Sequence, residues 1–152
     1  ELQTLRFNYR MTEIQAALGV SQLSRLDSFV QSRRSVAKVY DNAFGNHPNI
    51  HPIGMTGRDR SSVHLYVLAI DFEAIGKSRR ELMTFLRENG IGSQVHYIPV
   101  PMQPYYERLG HSMDLLPGCQ SYYSHALSIP CYPELNSMDQ SKVIDRLMEF
   151  CS

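Results

Sequence analysis

VHLYVLAI, residues 63–70, is apolar at nearly every position and only eight residues long. A run that short, rich in Val, Leu, Ile and Tyr, reads as a strand covered on both faces rather than as a helix. On its C-terminal side residues 71–77 make a turn. Ser78 with Glu81 three residues on is then a capping box, opening a helix with Leu82, Phe85 and Leu86 on its buried side and Gly90 at its end. Residues 91–97 alternate, with Ile91, Ser93, Val95 and Tyr97 on one face and Gly92, Gln94 and His96 on the other, which predicts a second strand. Pro99 and Pro101 stop its ladder.

On the N-terminal side of the first strand, residues 46–62 are rich in Gly, Pro, Arg and Asp without a period and read as a loop, with a short edge strand around 50–53. Before it, residues 25–44 repeat apolar side chains at three- and four-residue steps: Leu26, Phe29, Val30, Val36, Ala37, Tyr40, Ala43 and Phe44. That stripe predicts a long amphipathic helix, with Arg33 interrupting it and snorkelling. Residues 12–23 form an earlier helix opened by a Thr12/Gln15 capping box, with Gly19 a weak point. Downstream of the second strand come a loop at 98–103, a short helical turn at 105–109, an irregular stretch at 110–117, and a helix at 119–127 packing Tyr122, Tyr123 and Ala126. A short strand at 128–130 is held at an edge by Pro130 and Pro133. A last helix opens with a capping box at Ser137 and Gln140 and turns Val143, Ile144, Leu147, Met148 and Cys151 inward. Few strands, helices interspersed and no long β–α alternation predict an α+β fold, with helices on a small, mostly antiparallel sheet and the long helix lying across it.

With 152 residues the chain has room for one domain with a sizeable core. Fifteen basic and fifteen acidic side chains leave no net field to attract nucleic acid or an anionic membrane. No apolar run reaches bilayer length, and the first residues have neither a basic nor an apolar leader segment, so the expectation is a cytoplasmic protein. Cys119, Cys131 and Cys151 are odd in number and lack a CxxC pair, which argues for reduced thiols rather than a disulfide framework or zinc site. His47 and His51 lack a carboxylate or thiol at ligand spacing and read as exposed.

Three groups of residues could carry chemistry. Asn8, Tyr9 and Arg10 place an amide, a phenol and a guanidinium just before a helix, a set suited to a phosphate or carboxylate, although spacing alone favours a loop end and a solvated charge. His96 stands at a strand terminus beside a proline-stiffened loop, open to either a site role or a structural hydrogen bond. His64, flanked by apolar residues, reads as a core or interface histidine, and Tyr105 and Tyr106 as packing or as a stacking platform. Lys38, Lys77 and Lys142 all read as solvated.

FNYRMTEIQAALGVSQLSRLD, then GIGSQVHYIPVPMQPYY, then LSIPCYPELN occur in one order and, with the helices between them, cover nearly the whole chain. Together they resemble the C-terminal part of the DegT/StrS family of pyridoxal-phosphate-dependent nucleotide-sugar aminotransferases, and within it the enzymes that aminate C4 of a UDP-linked 4-keto-6-deoxy sugar on the way to pseudaminic acid. The resemblance implies the small C-terminal domain of a type I aminotransferase, with residues 1–45 as inter-domain segment and linker helices and 46–152 as the small domain. The cofactor lysine would lie upstream, and this piece alone would be inactive. Asn8 would reach across a homodimer to the pyridoxal phosphate of the partner subunit. Arg10, His96 and Tyr97 would contact the nucleotide-sugar substrate, with glutamate as amino donor. Arg6 stands where the family usually has glycine, which bears on the path of the loop that carries Asn8. A stand-alone binding or assembly module that kept the fold without catalysis is the alternative.

Overall fold

A computed structural model describes residues 9–54 and 56–152. Arg6 and Asn8 lie outside the described residues. The fold is α+β, with six helices among the described residues and one three-stranded antiparallel sheet.

Helix α1, Glu13–Leu23, opens with the expected reciprocal cap: the Thr12 hydroxyl accepts from Gln15 N–H at 3.3 Å, and Gln15 Oε1 accepts from Thr12 N–H at 2.9 Å. Helix α2, Leu26–Phe44, follows after a two-residue break. Its stripe divides into two parts. Val36, Ala37, Tyr40 and Phe44 are buried, whereas Leu26 is exposed and Phe29 and Val30 are half-buried. Tyr40 lies at the centre of the helix's packing, stacked on Phe44 and tilted against Tyr66, with its hydroxyl donating to the Pro130 carbonyl at 3.0 Å.

Strand β1, Ile50–Pro52, pairs antiparallel with β2, Tyr66–Ile70, through Ile50 and Ile70. Strand β2 is central and starts three residues later than its apolar run. Tyr66, Leu68 and Ile70 are fully buried while Val67 and Ala69 are only partly so, a one-sided pattern rather than a strand equally covered on both faces. The preceding residues turn instead of extending: Val63 has φ +48°, and its N–H is taken by the Ser61 hydroxyl. His64 is left exposed and belongs to no core.

Helix α3, Arg79–Glu88, carries the expected Ser78/Glu81 capping box and ends at Gly90, whose φ of +74° lets Ile91 N–H reach back to the Leu86 carbonyl at 2.8 Å. The strand expected at 91–97 does not form. Ile91 N–H is committed to the end of α3 and Val95 N–H to the Gln94 side chain, and the segment's one pairing with the sheet is a single antiparallel bridge between Gln94 and Ser128. The alternation fails with it: Ile91 is buried, but Tyr97 on the same expected face is 76% exposed.

Helix α4, Pro104–Arg108, and helix α5, Pro117–His125, sit on the arm that follows. Helix α5 stops two residues earlier than its apolar pattern implied. Ala126 and Leu127 instead begin β3, Ala126–Ile129, because they pair with Ala69 and Leu68 of β2. Tyr122, expected on a packing face, is exposed, while Tyr123 is half-buried with the Arg79 guanidinium over its ring. Helix α6, Ser137–Cys151, is capped one residue earlier than expected, by Asn136 accepting from Asp139 N–H at 2.8 Å. Gln140, released from capping, is buried and donates to the Val36 carbonyl at 2.8 Å, joining α6 to α2. Val143, Leu147 and Cys151 are buried as the periodicity predicts. The core lies between the sheet, the C-terminal half of α2, α3 and α6.

Candidate functional site

His96 is built into place from β3. Ser128 N–H donates to the Gln94 carbonyl at 2.8 Å, Gln94 N–H donates to the Ser128 carbonyl at 3.1 Å, and the Ser128 hydroxyl lies 2.8 Å from His96 Nδ1. The half-buried imidazole meets the exposed Tyr97 ring edge-on at 4.8 Å, across a cis peptide bond. His96 and Tyr97 are thus brought together, one anchored inward and one turned outward. The arm beyond them, through Ile98, Val100, Tyr105, Leu109 and Leu115, exposes a series of large apolar side chains. Tyr105 and Tyr106 pack edge-on at 5.2 Å with Tyr105 the more exposed.

Arg10 lies in the lead-in to α1, two residues before the Thr12 cap, and both it and Tyr9 are exposed. From there to Leu26 the large apolar side chains of α1 and its flanks stay exposed, with Ile14 at 83%. Between α1, α2 and the 133–134 segment runs a cleft of about 550 Å³ lined by Leu23, Leu26, Phe29, Arg33, Pro133 and Glu134. Arg33 does not simply snorkel: its Nε is buried and has no hydrogen-bond partner among the described residues.

The lysines differ from one another. Lys38 and Lys142 are exposed, as expected of solvated side chains, but Lys77 is half-buried, its ammonium donating to the Phe150 carbonyl and lying 4.6 Å from the Phe150 ring centre. Lys142 also lines a cleft with Gly90, Pro130, Tyr132 and Asp139. Burial pushes the Cys131 and Cys151 thiols up to about 11, which keeps them protonated and unreactive at neutral pH. His51 is exposed, whereas His47 is half-buried, its Nδ1 accepting from Asn49 N–H at 3.1 Å. Burial first, and then the neighbouring His51, hold His47 below the usual imidazole value. No helix is long and apolar enough to cross a membrane among the described residues.

Two further groups escaped the sequence reading. Asp41 accepts from both Arg58 Nη1 and the Tyr66 hydroxyl at 2.7 Å, and the Arg58 guanidinium covers the Tyr66 ring at 4.7 Å, a network that ties the 53–60 loop to α2 and β2. Its members are 17 and 25 residues apart in the chain, and no local spacing announces them. Ser128 lies 32 residues from His96, and the only sequence signal for the pair is that both fall inside the quoted blocks.

Compared with known proteins, the chain matches over its length but is short of theirs. Spore coat polysaccharide biosynthesis protein SpsC of Bacillus subtilis is 35% identical over 98% of this chain and 39% of its own. A Campylobacter jejuni UDP-4-amino-4,6-dideoxy-N-acetyl-beta-L-altrosamine transaminase is 34% identical over 97% of this chain and 39% of its own. Helicobacter pylori PseC, described as an aminotransferase involved in the biosynthesis of pseudoaminic acid, superposes with a TM-score of 0.89 at 29% identity, covering 99% of this chain and 40% of that one. The chain therefore spans about two fifths of the length of the curated relatives it matches. Residues 2–148 match the family as a whole, and the chain belongs to the DegT/DnrJ/EryC1/StrS aminotransferase family.

Proposed function

We propose that these residues are the C-terminal part of a pyridoxal-phosphate-dependent aminotransferase that moves an amino group from glutamate to a UDP-linked 4-keto-6-deoxy sugar. The observation that carries this reading is the end-to-end match, in sequence and in fold, to sugar aminotransferases whose chains are about two and a half times longer. Residues 1–45 serve as the connection to the remainder of the enzyme and 46–152 as its small domain. The enzyme is cytoplasmic and works as a homodimer.

Pyridoxal phosphate, when bound, supplies the electron sink that amino transfer requires. This chain contributes walls and grips. Asn8 donates its amide to the cofactor phosphate of the partner subunit, and the lysine that carries the cofactor lies outside these residues. Arg10 offers a planar fork of N–H groups to the diphosphate of the nucleotide sugar. His96 and Tyr97 line the sugar, the first through a ring nitrogen and the second through its exposed face. The exposed apolar surfaces of α1 and of the 98–116 arm support this division of labour, since large unpartnered apolar area marks an interaction surface.

The test is a half-transamination assay on the full-length protein that carries this chain, against UDP- and dTDP-linked keto sugars. Amine transfer to a UDP-4-keto-6-deoxy sugar is the expected result. Transfer to none of them overturns the reading and leaves a binding or assembly module. In the same protein Asn8→Ala is expected to weaken pyridoxal phosphate binding, and unchanged affinity removes Asn8 from the cofactor site.

A further inference from the structure

Ser128 is buried, only 6% exposed, and the hydroxyl of a buried serine calls for an acceptor inside the fold. Among the described residues its hydroxyl is paired with His96 Nδ1 at 2.8 Å and with no other group. A neutral imidazole has one nitrogen with a proton and one without. Were the ring proton on Nδ1, it would point at the hydroxyl oxygen and the hydroxyl proton would be buried without an acceptor, at a cost of about 1–3 kcal/mol. That cost favours the arrangement in which the hydroxyl donates to Nδ1 and the ring proton sits on Nε2.

The rest of the geometry holds this arrangement in place. Both backbone groups of Ser128 bond to Gln94, two residues before the histidine, and this bridge anchors a segment that forms no strand of its own. The Tyr97 ring packs edge-on against the imidazole. With Nδ1 occupied from within, Nε2–H is the polar atom that the ring has left to offer.

We propose that Ser128 is a positioning residue which locks His96 in the Nε2–H tautomer, so that His96 acts as a hydrogen-bond donor to an oxygen of the sugar moiety, a hydroxyl or the keto oxygen. The proposal rests on the reading of His96 as a wall of the substrate pocket. It assigns that wall a direction: His96 donates to the ligand, and Ser128 acts through it without touching the ligand. It also gives a physical reason for the second and third sequence blocks to occur together, since their key side chains are hydrogen-bonded across the sheet edge.

The experiment compares His96→Ala, Ser128→Ala and Ser128→Thr in the full-length enzyme, together with nitrogen-15 spectra of histidine-labelled protein. The wild-type protein is expected to show the Nε2–H signature for His96. Ser128→Ala is expected to mix the tautomers and to raise KM for the nucleotide sugar about two- to tenfold, with kcat less affected and KM for the amino donor unmoved. Ser128→Thr restores the hydroxyl and should restore KM. If His96→Ala leaves the sugar KM unchanged, the pocket reading of His96 falls. If His96→Ala raises it and Ser128→Ala does not, the positioning role falls while the pocket reading stands. Should Ser128→Ala fail to fold, the wild-type spectrum decides alone, and an Nδ1–H signature for His96 overturns the proposal.

Discussion

The two halves of helix α2 carry apolar residues at the same spacing and have opposite fates. From Val36 onward the stripe is buried against the sheet and α6, whereas Leu26, Phe29 and Val30, like the apolar residues of α1 before them, remain wholly or partly exposed. The difference is not one of sequence. A periodic stripe states that a face is to be covered, and it cannot state by what. In the C-terminal half the covering elements follow in the same chain. For α1 and the start of α2 no element among the described residues covers them fully.

That contrast can be broken at its covered end first. Leu68→Ala, at a fully buried position of the central strand, should cost about 2–5 kcal/mol in a urea unfolding curve, because the removed atoms leave a cavity in a close-packed layer. A loss under about 1 kcal/mol would mean that the layer is not packed as described. Next in size comes Asp41→Ala, which leaves both the Arg58 guanidinium and the Tyr66 hydroxyl without their shared acceptor. A destabilisation of about 1–3 kcal/mol is expected, with the 53–60 loop more open to protease. Asn136→Ala removes the cap of α6 and should lower stability by about 1 kcal/mol, whereas Ser137→Ala should do far less, which separates the observed cap from the expected one. Smallest is Ile14→Ser on exposed α1, within about 0.5 kcal/mol for the 152-residue chain. In the full-length protein the same change should rise toward the size of a core deletion. Equal effects in the two settings would show that α1 is not covered there.

The parts of the fold set by local chemistry were legible. Thr12 with Gln15 and Ser78 with Glu81 cap their helices as written, and the inward face of α6 follows its period. Strand content was read less well, because pairing is decided at a distance. Residues 91–97 alternate like a strand, yet the Ile91 donor is claimed by the end of α3 and the Val95 donor by the Gln94 side chain, and only Gln94 pairs with the sheet. Ala126 and Leu127 continue the helical spacing of Tyr122 and Tyr123, but β2 offers them a partner edge at Ala69 and Leu68, and tertiary pairing overrides propensity. At the candidate site the address of His96 was visible as a residue ahead of two prolines. Its anchor, Ser128, was not, since a hydrogen bond spanning 32 residues leaves no trace in spacing.

Helix α2 is 19 residues long, about 28 Å from end to end, and contains neither glycine nor proline. Such a rod does not bend easily, so its two ends cannot be aimed independently. Whatever surface seats Leu26 and Phe29 also fixes the tilt at which Tyr40 meets the sheet and, through Pro130 just past β3, the attitude of the strand that holds His96. A change at the seating surface would thus be transmitted as leverage, as a crowbar turns a small push at one tip into a rotation at the other.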